Sequence, residues 1–377
     1  MKNTDITSSA QRQSIPNYVY DECKKCAAKV LSHQSASSFS IAMFSDFHYP
    51  INEETRTGVT HAADALKIIA SEVKPDLAVF LGDYIVGGPN STKIDSLRDA
   101  ADITDMMEDA ARGIPQLWLN GNHDILPYND NDSLSMKERF SFIGSKNSNT
   151  VTDSENVTAN YGYRDFDEVR LRIIYLNTSD IDFECKNAGE RMKYYISRRQ
   201  FEFVINALDL TCKADAEKWK IIFLTHFPID WPVLRRRNEQ GILMPDEEPP
   251  QLPIILDDYV SGKKGSIYTK DGNVEYDFTG KNAASITASF NGHAHCLNSG
   301  VIGNSGIPRF TVPNASFGRE NEYGQNGNYQ HGEKNTYGKS INSATDTAFN
   351  IVTVDPKNGK IFCDCYGAGY DREISFK

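Results

Sequence analysis

The sequence predicts an α/β fold with a parallel sheet and crossover helices. Two observations carry this. Apolar runs of strand length alternate with stretches of helical period, and each apolar run ends in a short polar turn. Residues 38–44 (SFSIAMF) read as a buried strand ending at Ser45-Asp46. Residues 60–73 follow with Ala62, Ala65, Leu66 and Ile69 on one helical face, and Pro75 stops them. Residues 77–81 (LAVFL) are a second strand, ending at Gly82-Asp83. Residues 96–112 are a second helix, and 116–119 (QLWL) a third strand, ending at Asn120-Gly121. Residues 170–176, a helix over 197–210, and strands over 220–224 and 285–290 repeat the pattern. Residues 347–354 and 360–366 read as a closing hairpin.

The chain has 377 residues, and 39% of them are apolar, including 19 Phe and 18 Tyr, enough for a large core. No apolar run approaches the ~20 residues that span a bilayer, so no membrane span is expected. Residues 1–16 lack the basic start and apolar stretch of a secretory signal, and a cytoplasmic protein is expected. The net charge of −11 argues against a long nucleic-acid duplex as partner. The Cys count is 7, odd, and the pair Cys23/Cys26 has no second C-x-x-C, so these thiols read as small hydrophobes rather than zinc ligands.

Residues 1–37 read as an N-terminal extension with a helix over 18–31, and 38–377 as one domain. Three stretches have no regular period: 129–156, the proline-rich 228–282, and the Gly/Asn/Tyr-rich 315–343. Loops of this length are usually functional. The last two follow candidate site residues and are read as substrate-facing.

Those candidates lie where an open parallel sheet binds its ligands, beyond the carboxyl ends of its strands. The chain has 8 His, and His48, His123, His226, His293 and His295 all fall at predicted strand ends beside Asp46, Asp83, Asn122 and Asp124. Imidazole nitrogen with carboxylate oxygen is a donor set for zinc, manganese or iron. Asp46 and His48 can reach one ion from a turn, Asp83 can bridge two, and Asn122 offers a neutral oxygen. His226 and the His293/His295 pair can complete both shells.

Taken in order, Asp46-Phe47-His48, Gly82-Asp83, Gly121-Asn122-His123-Asp124, His226 and Gly292-His293-Ala294-His295 resemble the sequence blocks of the calcineurin-like metallophosphoesterase superfamily. The resemblance covers about residues 40–296 and implies two packed mixed β-sheets flanked by helices, an α/β/β/α sandwich. It implies two divalent or mixed-valence metal ions (Mn, Fe or Zn). One would be held by Asp46, His48, Asp83 and His295, and the other by Asp83, Asn122, His226 and His293. A water activated between them would attack phosphorus in line. His123 would protonate the leaving group, and Asp124 would orient its ring. The implied substrate is a small phosphorylated compound, nucleotides included.

Val86 and Gly87 stand where the family's protein phosphatases carry Asp-Arg, and Val86 stands where its purple acid phosphatases carry a ligand tyrosine. The resemblance therefore points away from both branches. Two other readings stay open: a catalytically silent scaffold of the same fold, and a nuclease or nucleotide phosphodiesterase. Arg235, Arg236 and Arg237 invite the second as phosphate contacts. His61 reads as a helix-start residue, Tyr84 as a packing aromatic, and Cys296 as packing behind the ligand loop. His331 has no assigned role. In residues 367–372 (GAGYDR) the small residues suggest a tight backbone crossing, with Asp371-Arg372 an ion pair pinning the tail.

Overall fold

The computed structural model describes residues 15–50, 53–87, 91–125, 133–180, 194–230, 234–237, 243–245, 250–281, 284–316 and 339–376, with the side chains of 234–237 and 243–245 outside the description. The first part of the chain forms α1 (Asn17–His33), β1 (Phe39–Phe44), α2 (Glu53–Val73), β2 (Leu77–Phe80), α3 (Lys93–Ala110), β3 (Gln116–Trp118) and α4 (Met136–Phe142). Then come β4 (Val151–Thr152), β5 (Gly162–Phe166), β6 (Leu171–Tyr175), α5 (Arg198–Ala207), β7 (Lys220–Thr225), β8 (Leu234–Arg237), β9 (Leu243–Pro245) and α6 (Gln251–Val260). The last part forms β10 (Lys264–Thr269), β11 (Gly272–Asp277), β12 (Ser285–Asn291), β13 (Asn298–Ile302), β14 (Ile307–Thr311), β15 (Ala348–Asp355), β16 (Lys360–Gly367) and β17 (Arg372–Ser375).

These strands build two mixed sheets. The first runs β17-β16-β15-β1-β2-β3, and the second β13-β14-β12-β7-β6-β5-β4. In each, a parallel centre is bordered by antiparallel strands: β1, β2 and β3 are parallel, as are β6, β7, β12 and β14. Parallel strands covered on both faces are apolar throughout rather than alternating, which is why β1, β2 and β7 stood out in the sequence.

The alternate faces of the strands supply three cores. Ile41, Met43, Leu77, Val79, Ile173, Ile222, Leu224, Phe290, Phe310 and Val352 fill the space between the sheets. Ala42, Phe44, Phe80 and Trp118 turn the other way, against α1, α2 and α3. Ile174, Ile221, Phe223 and Ile286 face α5 and α6. The layers are helix, sheet, sheet and helix, as the resemblance implied.

Two expectations change. Helix α2 begins at Glu53, not at residue 60. Its first two residues, Glu53 and Glu54, are acidic and suit a helix N-terminus, but its first turns carry no apolar face for periodicity to detect. The proline-rich stretch 228–282 is not loop throughout: α6 and the hairpin β10/β11 lie within it, with Leu252, Ile255, Leu256, Ile267, Val274 and Tyr276 buried on the second sheet's outer face. The prolines sit before or at the start of α6, where they are tolerated. Within 315–343, residues 317–338 lie outside the described residues. Among the described residues no helix is long and apolar enough to cross a membrane.

One buried cation braces the second sheet. Arg172 on β6 donates Nε and Nη2 to the two carboxylate oxygens of Asp165 at 2.7 and 2.8 Å, and Nη1 to the Ala207 carbonyl at 2.7 Å. Its guanidinium lies 3.9 Å from the centre of the Tyr163 ring. Burial raises the Asp165 carboxyl, but hydrogen bonds from Arg172 and Lys213 outweigh it and hold the group below its ordinary value. The stabilisation is therefore present above the ordinary carboxylate pKa and is lost as pH falls through the lowered one. Asp165→Ala strands the Arg172 charge, and urea denaturation should show a loss of about 3 kcal/mol with the slope unchanged.

Candidate metal centre

The parallel strands of both sheets end at one edge of the sandwich, and the turns that follow them carry the polar residues. Asp46 and His48 follow β1, Asp83 follows β2, and Asn122, His123 and Asp124 follow β3. From the second sheet, His226 follows β7, and His293 and His295 follow β12. Backbone bonds knit these turns together. The Asp46 amide donates to the Gly82 carbonyl and the His48 amide to the Asp83 carbonyl, each at 3.0 Å. The Gly292 amide donates to the His226 carbonyl at 3.0 Å. The His293 amide donates to both Asp46 oxygens, at 3.2 and 3.0 Å, so the second sheet's turn grips a side chain of the first.

The local backbone is strained. Asp46, His48, Asp83, His293 and His295 all have positive φ, between 46° and 68°. Each such residue costs on the order of 1–2 kcal/mol, and strain of this kind concentrates at functional sites. Two glycines make the close approach possible. A Cβ on Gly82 would strike the Gly121 backbone, and a Cβ on Gly292 would strike Ser45 Oγ and the Asp46 carboxylate.

Two groups of side chains offer ligand atoms within 4.8 Å of one another: Asp46, His48, Asp83 and His295, and Asp83, His226 and His293. Asp83 belongs to both. His295 Nε2 lies 3.3 Å from Asp46 Oδ1 and 2.9 Å from His48 Nε2. Asn122 Oδ1 lies 3.0 Å from His226 Nε2 and 2.9 Å from His293 Nδ1, which adds it to the second group. His226 Nδ1 is 2.9 Å from the Leu81 carbonyl, which can only accept, so Nδ1 carries the hydrogen and Nε2 faces the centre.

The electrostatics call for a cation. Asp46, Asp83 and His226 are fully or almost fully buried. Asp83 Oδ2 makes no well-aligned hydrogen bond, and lies 3.2 Å from His226 Nε2 and 3.7 Å from His48 Nε2. Burial pushes the His226 imidazole down, but the charge and contact of Asp83 and the charge of Asp46 overcome it and raise the group to about 9. A positive charge is thus drawn to this point even without an ion. Burial and the neighbouring His226 push His293 down to about 3, which keeps it neutral and able to donate a lone pair. The donor set of imidazoles, carboxylates and one amide oxygen fits first-row divalent metal ions.

His123 lies beside the centre. Its amide donates to Asp83 Oδ1 at 2.7 Å, and its ring stands edge-on to His48 with centroids 4.7 Å apart. Its Nδ1 is 2.9 Å from the Val86 carbonyl, which assigns the Nδ1 hydrogen and turns Nε2 away from that bond. Asp124 does not take the ring-orienting part expected of it. Its carboxylate accepts from the amides of Asp83 (3.0 Å), Tyr84 (2.8 Å) and Gly121 (2.7 Å), so it ties the β2 and β3 turns together. A backbone carbonyl leaves no side-chain signature in the sequence, and the orienting role of Val86 was invisible there.

The other candidates divide. The chain over Arg235, Arg236 and Arg237 forms β8 against β9, but the arginine side chains lie outside the described residues, as does His331. His61 is not at the start of its helix: it sits within α2, with Nδ1 2.7 Å from Asp346 Oδ2, and ties that helix to the chain before β15. Tyr84 is wholly buried beside Phe47 and Trp118, its hydroxyl donating to the Phe80 carbonyl at 3.0 Å. Cys23 and Cys26 are free and buried.

A family model described as calcineurin-like phosphoesterase matches residues 39–297. The chain belongs to the calcineurin-like phosphoesterase family. Among solved structures, a dimetal phosphatase from Danio rerio is similar at a TM-score of 0.58 and 12% identity, over 90% of this chain and 99% of that one. The 5'-nucleotidase precursor of Thermus thermophilus aligns at 0.39 and 13% identity, over 90% of this chain and 54% of that one. The anchor GAP50 of the Plasmodium inner membrane complex aligns at 0.44 and 12%, over 90% and 89%. Comparison with curated proteins finds no significant match. The family implies divalent metal ions, and the buried cluster of Asp and His residues is chemically suited to hold them.

The contact at Gly292 has a measurable consequence. Gly292→Ala forces the His293 amide off Asp46. The variant should keep its circular dichroism spectrum while its affinity for Mn²⁺ falls roughly 10- to 100-fold in chelator competition, the range typical of disturbed outer-shell support.

Proposed function

We propose that the chain is a metal-dependent hydrolase of phosphoric esters. The observation that carries the proposal is the convergence of ligand atoms from both sheets on the shared carboxylate of Asp83, with His123 alongside. The fold shared with a dimetal phosphatase along nearly the whole of both chains supports it.

Asp46, His48, Asp83 and His295 would hold one ion, and Asp83, Asn122, His226 and His293 a second. Such a pair, whether Mn, Fe or Zn, supplies Lewis acidity toward the phosphoryl oxygens and a water acidic enough to act as nucleophile near neutral pH. The chain's own residues supply the rest. Leu81 and Val86 hold the tautomers of His226 and His123 through their carbonyls. With the Nδ1 hydrogen directed at the Val86 carbonyl, Nε2 is the nitrogen of His123 that would give a proton to the departing oxygen. Burial of Asp46, Asp83 and His226 keeps bulk water from screening these charges.

The test compares stripped and reloaded protein on a panel of mono-, di- and pyrophosphate esters. Turnover should vanish on chelation and return with Mn²⁺, Fe²⁺ or Zn²⁺. His123→Ala should keep its metal and lose ~10²–10⁴ in kcat for alkyl leaving groups, but far less for p-nitrophenol, which needs little protonation. Hydrolysis by metal-free protein, or loaded protein inert across the panel, contradicts the proposal.

A further inference from the structure

The run 367–372 has no part in the chemistry above, yet the structure brings it against the segment that follows His295. The salt bridge expected to pin the tail is formed by Asp371 with Lys29 rather than with Arg372. Asp371 Oδ1 accepts from Lys29 Nζ at 2.8 Å and from the Cys365 amide at 2.9 Å, anchoring the turn before β17 to α1 and β16. Arg372 reaches the other way, across the gap between the sheets. Its Nη1 donates to the Asn298 carbonyl at 2.9 Å and its Nη2 to Asn350 Oδ1 on β15 at 2.9 Å. Its guanidinium lies 5.2 Å from the Phe310 ring centroid.

Asn298 begins β13, three residues after His295. Among the described residues β13 is an edge strand that pairs with β14 alone. The turn between β12 and β13 contains two residues of positive φ, His293 and His295, and would relax if released. Leu297, also in this turn, is buried against Gly369, where a Cβ would lie 2.6 Å from Leu297 Cδ1. The small residues of the run therefore let the C-terminal hairpin close over the ligand turn, and Arg372 fastens it. Arg372 also joins the two halves of the centre: Asn350 belongs to the sheet that carries Asp46, His48 and Asp83, and Asn298 to the sheet that carries His293 and His295.

We propose that Arg372 is a positioning residue of the metal centre, holding the His293–His295 turn of the second sheet in register with the ligands of the first. The inference rests on the metal-dependent reading above. A guanidinium suits the task because it can satisfy two differently placed oxygens at once, which an ammonium cannot.

The test uses the full chain, stripped of metal, as wild type, Arg372→Met, Arg372→Lys and Lys29→Met. Mn²⁺ affinity is read by competition with a chromophoric chelator, thermal stability without metal, and kcat and KM on an aryl phosphate. Arg372→Met should weaken Mn²⁺ binding roughly tenfold or more, as loss of an outer-shell partner does, while Lys29→Met, which cuts the other anchor of the same turn, should leave it within about twofold. Both should lower the metal-free melting temperature. Arg372→Lys, still able to reach one acceptor, should fall between wild type and Met, and it carries the comparison if the Met variant does not fold. In the Arg372→Met variant kcat should fall more than KM rises. Equal metal affinity in wild type and Arg372→Met, or equal losses in Arg372→Met and Lys29→Met, overturns the positioning role alone. A wild type that takes up no Mn²⁺ overturns the metal-dependent reading itself, before any variant is compared.

Discussion

The structure is organised by one constraint: acids and imidazoles from two separate sheets must meet in a space only a few ångströms across. Asp46, His48, Asp83 and Asn122 come from the first sheet, and His226, His293 and His295 from the second. Each of the two groups of ligand atoms draws on both sheets. The parallel strands of both sheets end on the same side of the sandwich, which is the simplest way to bring such turns together. The meeting is unfavourable for the bare protein. Carboxylates are buried beside one another, and five of the ligand residues adopt positive φ. A bound cation offsets the first cost, because it replaces repulsion between carboxylates with attraction to a common charge.

The second cost is carried by the packing around the turns. The Asp124 carboxylate gathers three amides from the β2 and β3 turns. After β14 the chain crosses from the second sheet to the first, where Ala315 and Ser316 donate their amides to the carbonyls of Ser45 and Asp46 at 2.8 and 3.2 Å. Lys339 fastens that crossing, its ammonium donating to the carbonyls of Asn314 and Ser316 at 2.7 and 2.5 Å. Arg372 makes a second link between the sheets, at the turn after β12. The ligand residues are therefore supported by contacts between segments remote in sequence, and rigid support of this kind is what keeps a site in its working geometry.

Much of this was legible in the sequence because the signal was chemical as well as periodic. The central strands are apolar without interruption, so an Asp-x-His or Gly-His-x-His turn immediately after one is conspicuous. What was not legible has identifiable causes. β13 (NSGVI) and β14 (IPRFT) are short edge or near-edge strands containing Gly or Pro, and they lack the apolar density of β1 or β7. α6 and the β10/β11 hairpin were hidden among prolines that flank or cap them rather than break them. The parts played by Leu81 and Val86 belong to their carbonyl oxygens, which every residue has. Asp124 follows His123 in the chain, but its carboxylate accepts from backbone amides behind the site. The reach of Arg372 to Asn298 joins residues 74 apart, and no local pattern encodes such a contact.

The most direct test of this account is anomalous diffraction from crystals of the full chain soaked with Mn²⁺. It predicts two peaks about 3.5–4 Å apart, the spacing usual in paired-metal hydrolases. Asp83 should touch both, and each ion should have ligands from both sheets. A single site built from one sheet, or no ordered ion while the Asp and His side chains keep the positions described, would contradict it.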